Sequence, residues 1–328
     1  LHCHLFCQIV NALPKAICRI FGELYCVTMS AMPKTTCTLL PAFSVVAVSG
    51  RAAQSFLQGQ LTNDLLGLER HPGLLAAACN REGRVLEIMR LAAYGDAVLM
   101  VVRHSLVPPM IARLKKHILR AEVSVDDSSR ALAVAGMLSA QPDGSLSQAA
   151  AGARGATVLV AGPRRLLLVG SPESLQPVLD DPDPASASAW ERACIEDGEP
   201  TIHPETAGNW IPQMLNLDLL SAISFTKGCY VGQEVVARAQ NLGRVKRRML
   251  RFTGPADASF HPGQMLYSGA SQAAQVVSAC DGPRGTELLA VTELRHCSDL
   301  LGARPEGSEL VPADLPYPVP PPVDASDR

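Results

Sequence analysis

Short apolar runs of strand length alternate with polar turns through residues 43–103. "FSVVAVSG" (43–50) is a β-branched run, and "RAAQSFLQGQL" after it predicts a helix with Phe56 and Leu57 on its apolar face and Ser49 as its cap. "LLAAACN", "RVLEIMRLAAY" and "AVLMVVR", separated by "REG" and by Gly95-Asp96, predict an antiparallel meander. An amphipathic helix is predicted over 105–120 from Ser105, because Pro108 and Pro109 are tolerated only in a first turn. "ALAVAGM", "ATVLVAG" and "RRLLLVG" read as further strands, and 172–180 and 187–196 as helices. From 249 onward, short strands ("MLRFTG", "AAQVVSACD", "ELLAVTELR") alternate with Gly- and Pro-rich turns, the pattern of a small β-barrel. The tail from Pro305, with "PYPVPPP", reads as extended and poorly packed.

The order is α+β for about 200 residues and then all-β, with strands meeting as hairpins, which argues against a doubly wound parallel sheet. Hydrophobic residues at 47% and charged residues at 18% fit a folded chain with a buried core. The 328 residues allow two or three domains. No apolar run reaches the roughly 18–20 residues of a membrane span.

Residues 1–28 lack a starting methionine, hold four of the ten cysteines and precede "MSAMPKTTC", which reads like a natural start. Pro14, Lys15, Arg19 and Glu23 break any signal-peptide core. "HCHLFC" lacks the paired second half of a zinc module, so 1–28 is read as an extension without function. Six further cysteines (37, 79, 194, 229, 280, 297) show no paired spacing and fit reduced thiols in cytosol. Cys79, Cys194, Cys280 and Cys297 sit among apolar neighbours and read as small core residues.

Net charge is −2, but Lys227–Arg251 holds seven basic residues and one acidic. A basic island in an acidic chain suits an anionic ligand, whether a phosphate, a polyglutamate tail or RNA. Within it lies "FTKGCYVGQEVVAR" (225–238), whose density of glycine and polar groups predicts a shaped loop. Lys227 is placed to favour a thiolate at Cys229. Gly228 and Gly232 let the backbone approach a ligand, Tyr230 adds an aromatic face, and Gln233 and Glu234 offer an amide beside a carboxylate. P-loop, nucleophile-elbow, H-E-x-x-H and C-x-x-C patterns are absent.

These residues resemble the signature of the YgfZ family, folate-binding relatives of the glycine-cleavage T-protein. "KGCYVGQEVVARAQNLGRVKRRML" carries the match, with "FLQGQLTNDL" (56–65), "ACNREGRVLEIMRL" (78–91), "WERACIEDGEPTI" (190–202) and "IPQMLNLDLLSAISFTKGCY" (211–230) in order before it. The resemblance implies two ferredoxin-like α+β subdomains over 38–245 and a C-terminal barrel over 246–304 around a central folate pocket, with 305–328 as the tail. It implies tetrahydrofolate as cofactor and a role in assembly or repair of iron–sulfur enzymes, tRNA-thiolating ones among them. Lys227, Gly228, Cys229, Tyr230, Gly232, Gln233 and Glu234 fill the signature, which implies Cys229 as a functional thiol with Lys227 as its activator and Tyr230, Gln233 and Glu234 as folate contacts. Glu196 stands where T-protein relatives hold the pterin, and Trp190 at the family tryptophan. Where the T-protein has roughly G-G-I-x-D-D, this chain has Gly83 through Ile88, with Glu87 at the first aspartate's place. That weakens a rival reading as an aminomethyltransferase using Glu87, for which a salt bridge is the plainer role. A third reading, direct tRNA binding by Arg244, Lys246, Arg247 and Arg248, lacks interleaved aromatics and predicts only weak, salt-dependent binding. No metal site is expected.

Overall fold

The computed structural model describes residues 35–140, 145–180, 184–241, 245–256, 258–281, 285–296, 298, 301–303 and 310–321. The 1–28 extension with its "HCHLFC", Arg244 and Cys297 lie outside the described residues. Strand β1 (Thr36–Leu39) leads to β2 (Phe43–Ser49), helix α1 (Ala53–Gln58) and the meander β3 (Leu74–Cys79), β4 (Val85–Tyr94) and β5 (Ala97–Arg103). Helix α2 (Val107–His117), β6 (Ser124–Asp127), β7 (Ala133–Leu138) and α3 (Ser145–Ala150) follow. Then come β8 (Thr157–Gly162), β9 (Arg165–Gly170), the single turn α4 (Pro172–Leu175) and α5 (Pro184–Glu196). The last part holds α6 (Gln233–Asn241), β10 (Arg247–Gly254), β11 (Met265–Ser268), β12 (Ser271–Cys280), β13 (Thr286–Glu293) and β14 (Val311–Ala313).

The strands form three antiparallel sheets, β3-β4-β5-β2-β6, β1-β7-β9-β8 and β11-β12-β13-β10-β14. The first is covered on both faces, which explains why "AVLMVVR" is apolar at nearly every position rather than alternating. Val46, Val48, Met100 and Val102 point to one core with Leu57 of α1 and Met110 and Leu114 of α2. Their neighbours Val45, Leu99 and Val101 point the other way, onto Val134, Leu167 and Val169 of the four-stranded sheet. Strand alternation thus feeds two cores from one run.

Several local expectations shift. Ser49 ends β2 opposite Ser124, so α1 is capped by Ala52 without a side-chain hydrogen bond. Ser105 lies in a 3-10 turn, His104–Leu106, and α2 begins at Val107 with its prolines in the first turn, as expected. The predicted helix at 172–180 is one α turn followed by a 3-10 turn, Gln176–Val178. At the C-terminus the described strands make a five-stranded sheet whose end strands are β11 and β14. Isolated bridges, Tyr267 to Gly302 and Leu301 to Leu310, lie beside those ends.

Part of the described tail is packed, against expectation, while residues 318, 320 and 321 are exposed. Val311–Ala313 pair with Arg251–Thr253 at the sheet edge, where Pro312 is tolerated. Leu315 packs on the main core, and the Tyr317 hydroxyl donates to Gly198 O at 2.7 Å. A Cβ on Gly198, which has φ +67°, would meet that hydroxyl at 2.6 Å, so the tail needs glycine there.

Candidate functional site

The signature is half loop and half helix. Gln233 and Glu234, expected on the loop, form the first turn of α6, and Gln233 Oε1 accepts from Tyr230 N at 3.3 Å. Gly232 sits at φ +83° against the β3–β4 hairpin, where a Cβ would lie 2.5 Å from Asn80 O and 2.9 Å from Gly83 Cα. Gly232→Ala is therefore expected to cost about 1–3 kcal/mol in backbone strain before any clash is counted, measurable by chemical denaturation. Gly228 faces open space.

Lys227 turns inward. It is 8% exposed, its Nζ donates to Leu61 O at 2.8 Å and Asn63 O at 2.6 Å, and it lies 5.4 Å from the Tyr230 ring centroid. Burial lowers its ammonium to about 8 despite the nearby Asp64 carboxylate. Among the described residues no hydrogen bond links it to Cys229, so the geometry is that of a loop anchor. Tyr230 is buried, and burial raises its phenol above the usual range. Cys229 is exposed, alone in this among the described cysteines: Cys37, Cys79 and Cys194 are buried and Cys280 half-buried, none in a disulfide.

A second polar group gathers where β4, β9 and the end of α5 meet. Arg165, 1% exposed, donates to Asp197 Oδ2 and Glu199 Oε2, each at 2.6 Å, and to Cys194 Sγ at 2.9 Å, and lies 5.4 Å from the Trp190 ring centroid. Arg90 grips Glu199 with two hydrogen bonds, 3.1 and 2.6 Å, and also donates to the carbonyls of Gly73, Val160 and Ala161. Burial alone would raise the Glu199 carboxyl, but Arg90 and Arg165 outweigh it and hold it down to about 2. Burial pushes the Cys194 thiol up to about 12, which keeps it protonated.

These groups border an open cleft of about 490 Å³ and a narrow inner cavity of about 40 Å³, which share Leu75, Arg90, Arg165 and Glu199. Trp190 lines the inner cavity, 2% exposed, with its Nε1 buried and lacking a hydrogen-bond partner. Its ring fills the space a Cβ on Gly136 would need. Glu196 lines neither space; it pairs with Arg164 at 3.1 Å. The structure thus brings Trp190 to the inner cavity beside the cleft, directs Glu196 to a neighbouring arginine and gathers the signature residues elsewhere. Arg90, Arg165, Asp197 and Glu199 escaped the sequence reading because they meet only across two sheets. The "GEP" at 198–200 was the one local signal for Glu199.

Glu87 is 3% exposed and pairs with Arg113 of α2 at 3.0 Å, and burial raises its carboxyl despite that arginine. Its neighbours Ile88 and Arg90 line the inner cavity, so alternation along β4 turns Glu87 to the helix side. The salt bridge expected at Glu87 comes from a helix and not from a strand neighbour. In the basic island, Arg248 is buried on Asp218 with two hydrogen bonds, and Arg247 and Arg251 pair with Glu293 and Glu287. Lys246 is exposed. Among the described residues no group of three or more His, Cys, Asp or Glu side chains is gathered to hold a metal, and no helix is long and apolar enough to cross a membrane.

The mixed α+β arrangement of several antiparallel sheets is similar to the fold of a solved aminomethyltransferase T. The crystal structure of glycine cleavage system aminomethyltransferase T from Bartonella henselae matches with a TM-score of 0.69 at 14% identity, over 88% of this chain and 87% of that one. No family model matches the sequence. The tRNA-modifying protein YgfZ of Edwardsiella ictaluri (strain 93-146) is 34% identical over 238 residues, 67% of this chain and 72% of its own length. The protein of the same name from Escherichia coli O157:H7 is 32% identical over 242 residues, 69% of this chain and 74% of its own. The chain belongs to the YgfZ family.

Proposed function

We propose that this chain is a cytoplasmic tetrahydrofolate-binding accessory protein that supports assembly or repair of iron–sulfur enzymes and so acts on tRNA modification indirectly. The observation that carries the reading is an exposed thiol on an anchored loop. Cys229 faces solvent while Lys227, two residues earlier, is buried on two carbonyls. Packing does not call for sulfur there, so a cysteine fits a group that meets a partner's cluster or substrate. Names of the relatives support the link to tRNA modification.

The folate part rests on the cleft. Its volume lies within the ordinary range of small-molecule sites. In the inner cavity beside it, which has room for a water but not for a pterin, the orphaned Trp190 Nε1 is a buried donor in want of an acceptor that a water bridging to the ligand would supply. Trp190 and Glu196 are assigned to the pterin end, Glu196 by exchanging Arg164 for the pterin, and Tyr230, Gln233 and Glu234 are assigned to folate contacts from the loop, with Gly228 and Gly232 setting its path. Bound tetrahydrofolate would supply one-carbon or reducing chemistry. This chain's own residues bind and orient it. Glu87, turned to Arg113, disfavours aminomethyl transfer. With Arg247 and Arg248 tied into ion pairs, tRNA is reached through client enzymes rather than bound strongly.

Calorimetric titration with tetrahydrofolate tests the pocket. Glu196→Ala is expected to weaken binding by about 1.5–3 kcal/mol, the range of a charge-assisted hydrogen bond, with Glu196→Gln between it and the parent. Equal dissociation constants for all three would remove Glu196 from the pocket. No binding by the parent would overturn the folate reading.

A further inference from the structure

We propose that Asn63 is a positioning residue that ties the Cys229 loop to the cleft wall, so that a ligand in the cleft changes the reactivity of the Cys229 thiol. The ligand arm of this proposal rests on the folate reading above. The connection itself is built from the "QLTND" segment (60–64), whose Thr62 and Asn63 side chains the site has not otherwise used.

Asn63 is 7% exposed and its amide donates in two directions, to Leu75 O and to Ser221 O, both at 2.8 Å. Leu75 and Ser221 both line the cleft. The Asn63 carbonyl accepts the Lys227 ammonium at 2.6 Å, and Lys227 is two residues from Cys229. One residue therefore bonds to the ligand cleft with its side chain and to the thiol loop with its backbone.

The adjoining contacts stiffen this clip. Thr62, fully buried, accepts from Ala77 N at 2.9 Å and donates to Ala222 O at 2.7 Å through its hydroxyl, and Ser224 N donates to Thr62 O at 3.0 Å. Strand β3 and the segment 221–227 are thereby held to the same short turn. An independent observation marks where the segment would give. Ser221 adopts φ +55°, one of two non-glycine residues at positive φ among the described residues. L side chains seldom adopt that conformation, and such strain persists only where surrounding bonds impose it. Here Asn63 holds the Ser221 carbonyl. A ligand that presses on or draws in Ser221 acts on a residue with a relaxed alternative close by, and the segment from 221 to 229 carries the change to the thiol.

Asparagine is required by its chemistry. Aspartate keeps the length but loses both donors, and alanine leaves two carbonyls unpaired. The test follows alkylation of Cys229 in the full chain by N-ethylmaleimide, read from the Cys229 peptide by mass spectrometry, with and without saturating tetrahydrofolate. The parent is expected to change rate at least threefold on adding tetrahydrofolate, and Asn63→Asp or Asn63→Ala to lose most of that dependence. A parent that binds tetrahydrofolate by calorimetry yet alkylates at one rate overturns the proposal and leaves the folate reading standing. So does an Asn63 variant that keeps the full dependence. If the parent binds no tetrahydrofolate, the folate reading falls and hydrogen exchange decides the clip. Asn63→Ala should then raise exchange over 221–228 about fivefold; unchanged exchange overturns it. Asn63→Ser, which keeps one hydroxyl donor and adds no buried charge, serves if the alanine variant does not fold.

Discussion

Cys229→Ser is expected to fold and bind tetrahydrofolate as the parent does, and to restore none of the iron–sulfur enzyme activity in a strain lacking this protein. The thiol is exposed, and substitutions at exposed positions without special contacts usually change stability by less than about 0.5 kcal/mol. Serine keeps the size and the polarity. What it removes is a soft ligand and nucleophile, so a complete loss of complementation with intact binding assigns the function to sulfur itself. Lys227 sharpens the comparison. With its ammonium on Leu61 O and Asn63 O, it acts on the loop's position. The assay is the activity of a tRNA-thiolating iron–sulfur enzyme in the deletion strain beside calorimetry on the purified variants. Full complementation by the serine variant would reduce Cys229 to a spectator.

Arg165→Met is expected to be among the most damaging single substitutions in the chain. It removes the shared partner of Asp197 and Glu199 and the cation over Trp190 while filling similar space. Breaking a buried ion pair from one side typically costs about 3–5 kcal/mol, because a charge is left without compensation. Denaturant unfolding should show that loss, and tetrahydrofolate binding should fall with it, since Arg165 borders both the cleft and the inner cavity. Acid stability gives the sign. The Glu199 carboxyl is held down to about 2, below its ordinary value of 4.5, so its contribution is present above 4.5 and is lost as pH falls toward 2. Glu199→Gln should flatten that acid limb. An unaltered limb would mean that the Arg90–Glu199–Arg165 group does not supply it.

Much of this was legible in the chain. The meander was readable because its turns carry Gly83 and Gly95 and its strands carry apolar runs, broken within β4 only by Glu87 and Arg90. Residues 227–234 stood out because glycines, a cysteine and charges crowd where a plain strand or helix has no use for them. The start of α6 was not readable: Gly232 immediately before it and the charge density masked a helix whose buried side is essentially Val236. Tail packing was missed because proline-rich composition describes an isolated chain. Tyr317 is held by Gly198, 119 positions away.

The amino-acid pattern by itself determined the α+β order, the antiparallel hairpins, the unusual loop and the presence of a lone signature cysteine, because these follow from residue type and short-range spacing. Only the tertiary structure decided which charges meet. Glu87 and Arg90 lie three positions apart on β4, so alternation turns them to opposite faces, and the fold sets α2 against one and the cleft against the other. Lys227 reaches carbonyls more than 160 positions earlier rather than the thiol two residues away. A buried ammonium must find acceptors wherever the fold offers them, and that demand outweighs nearness along the chain.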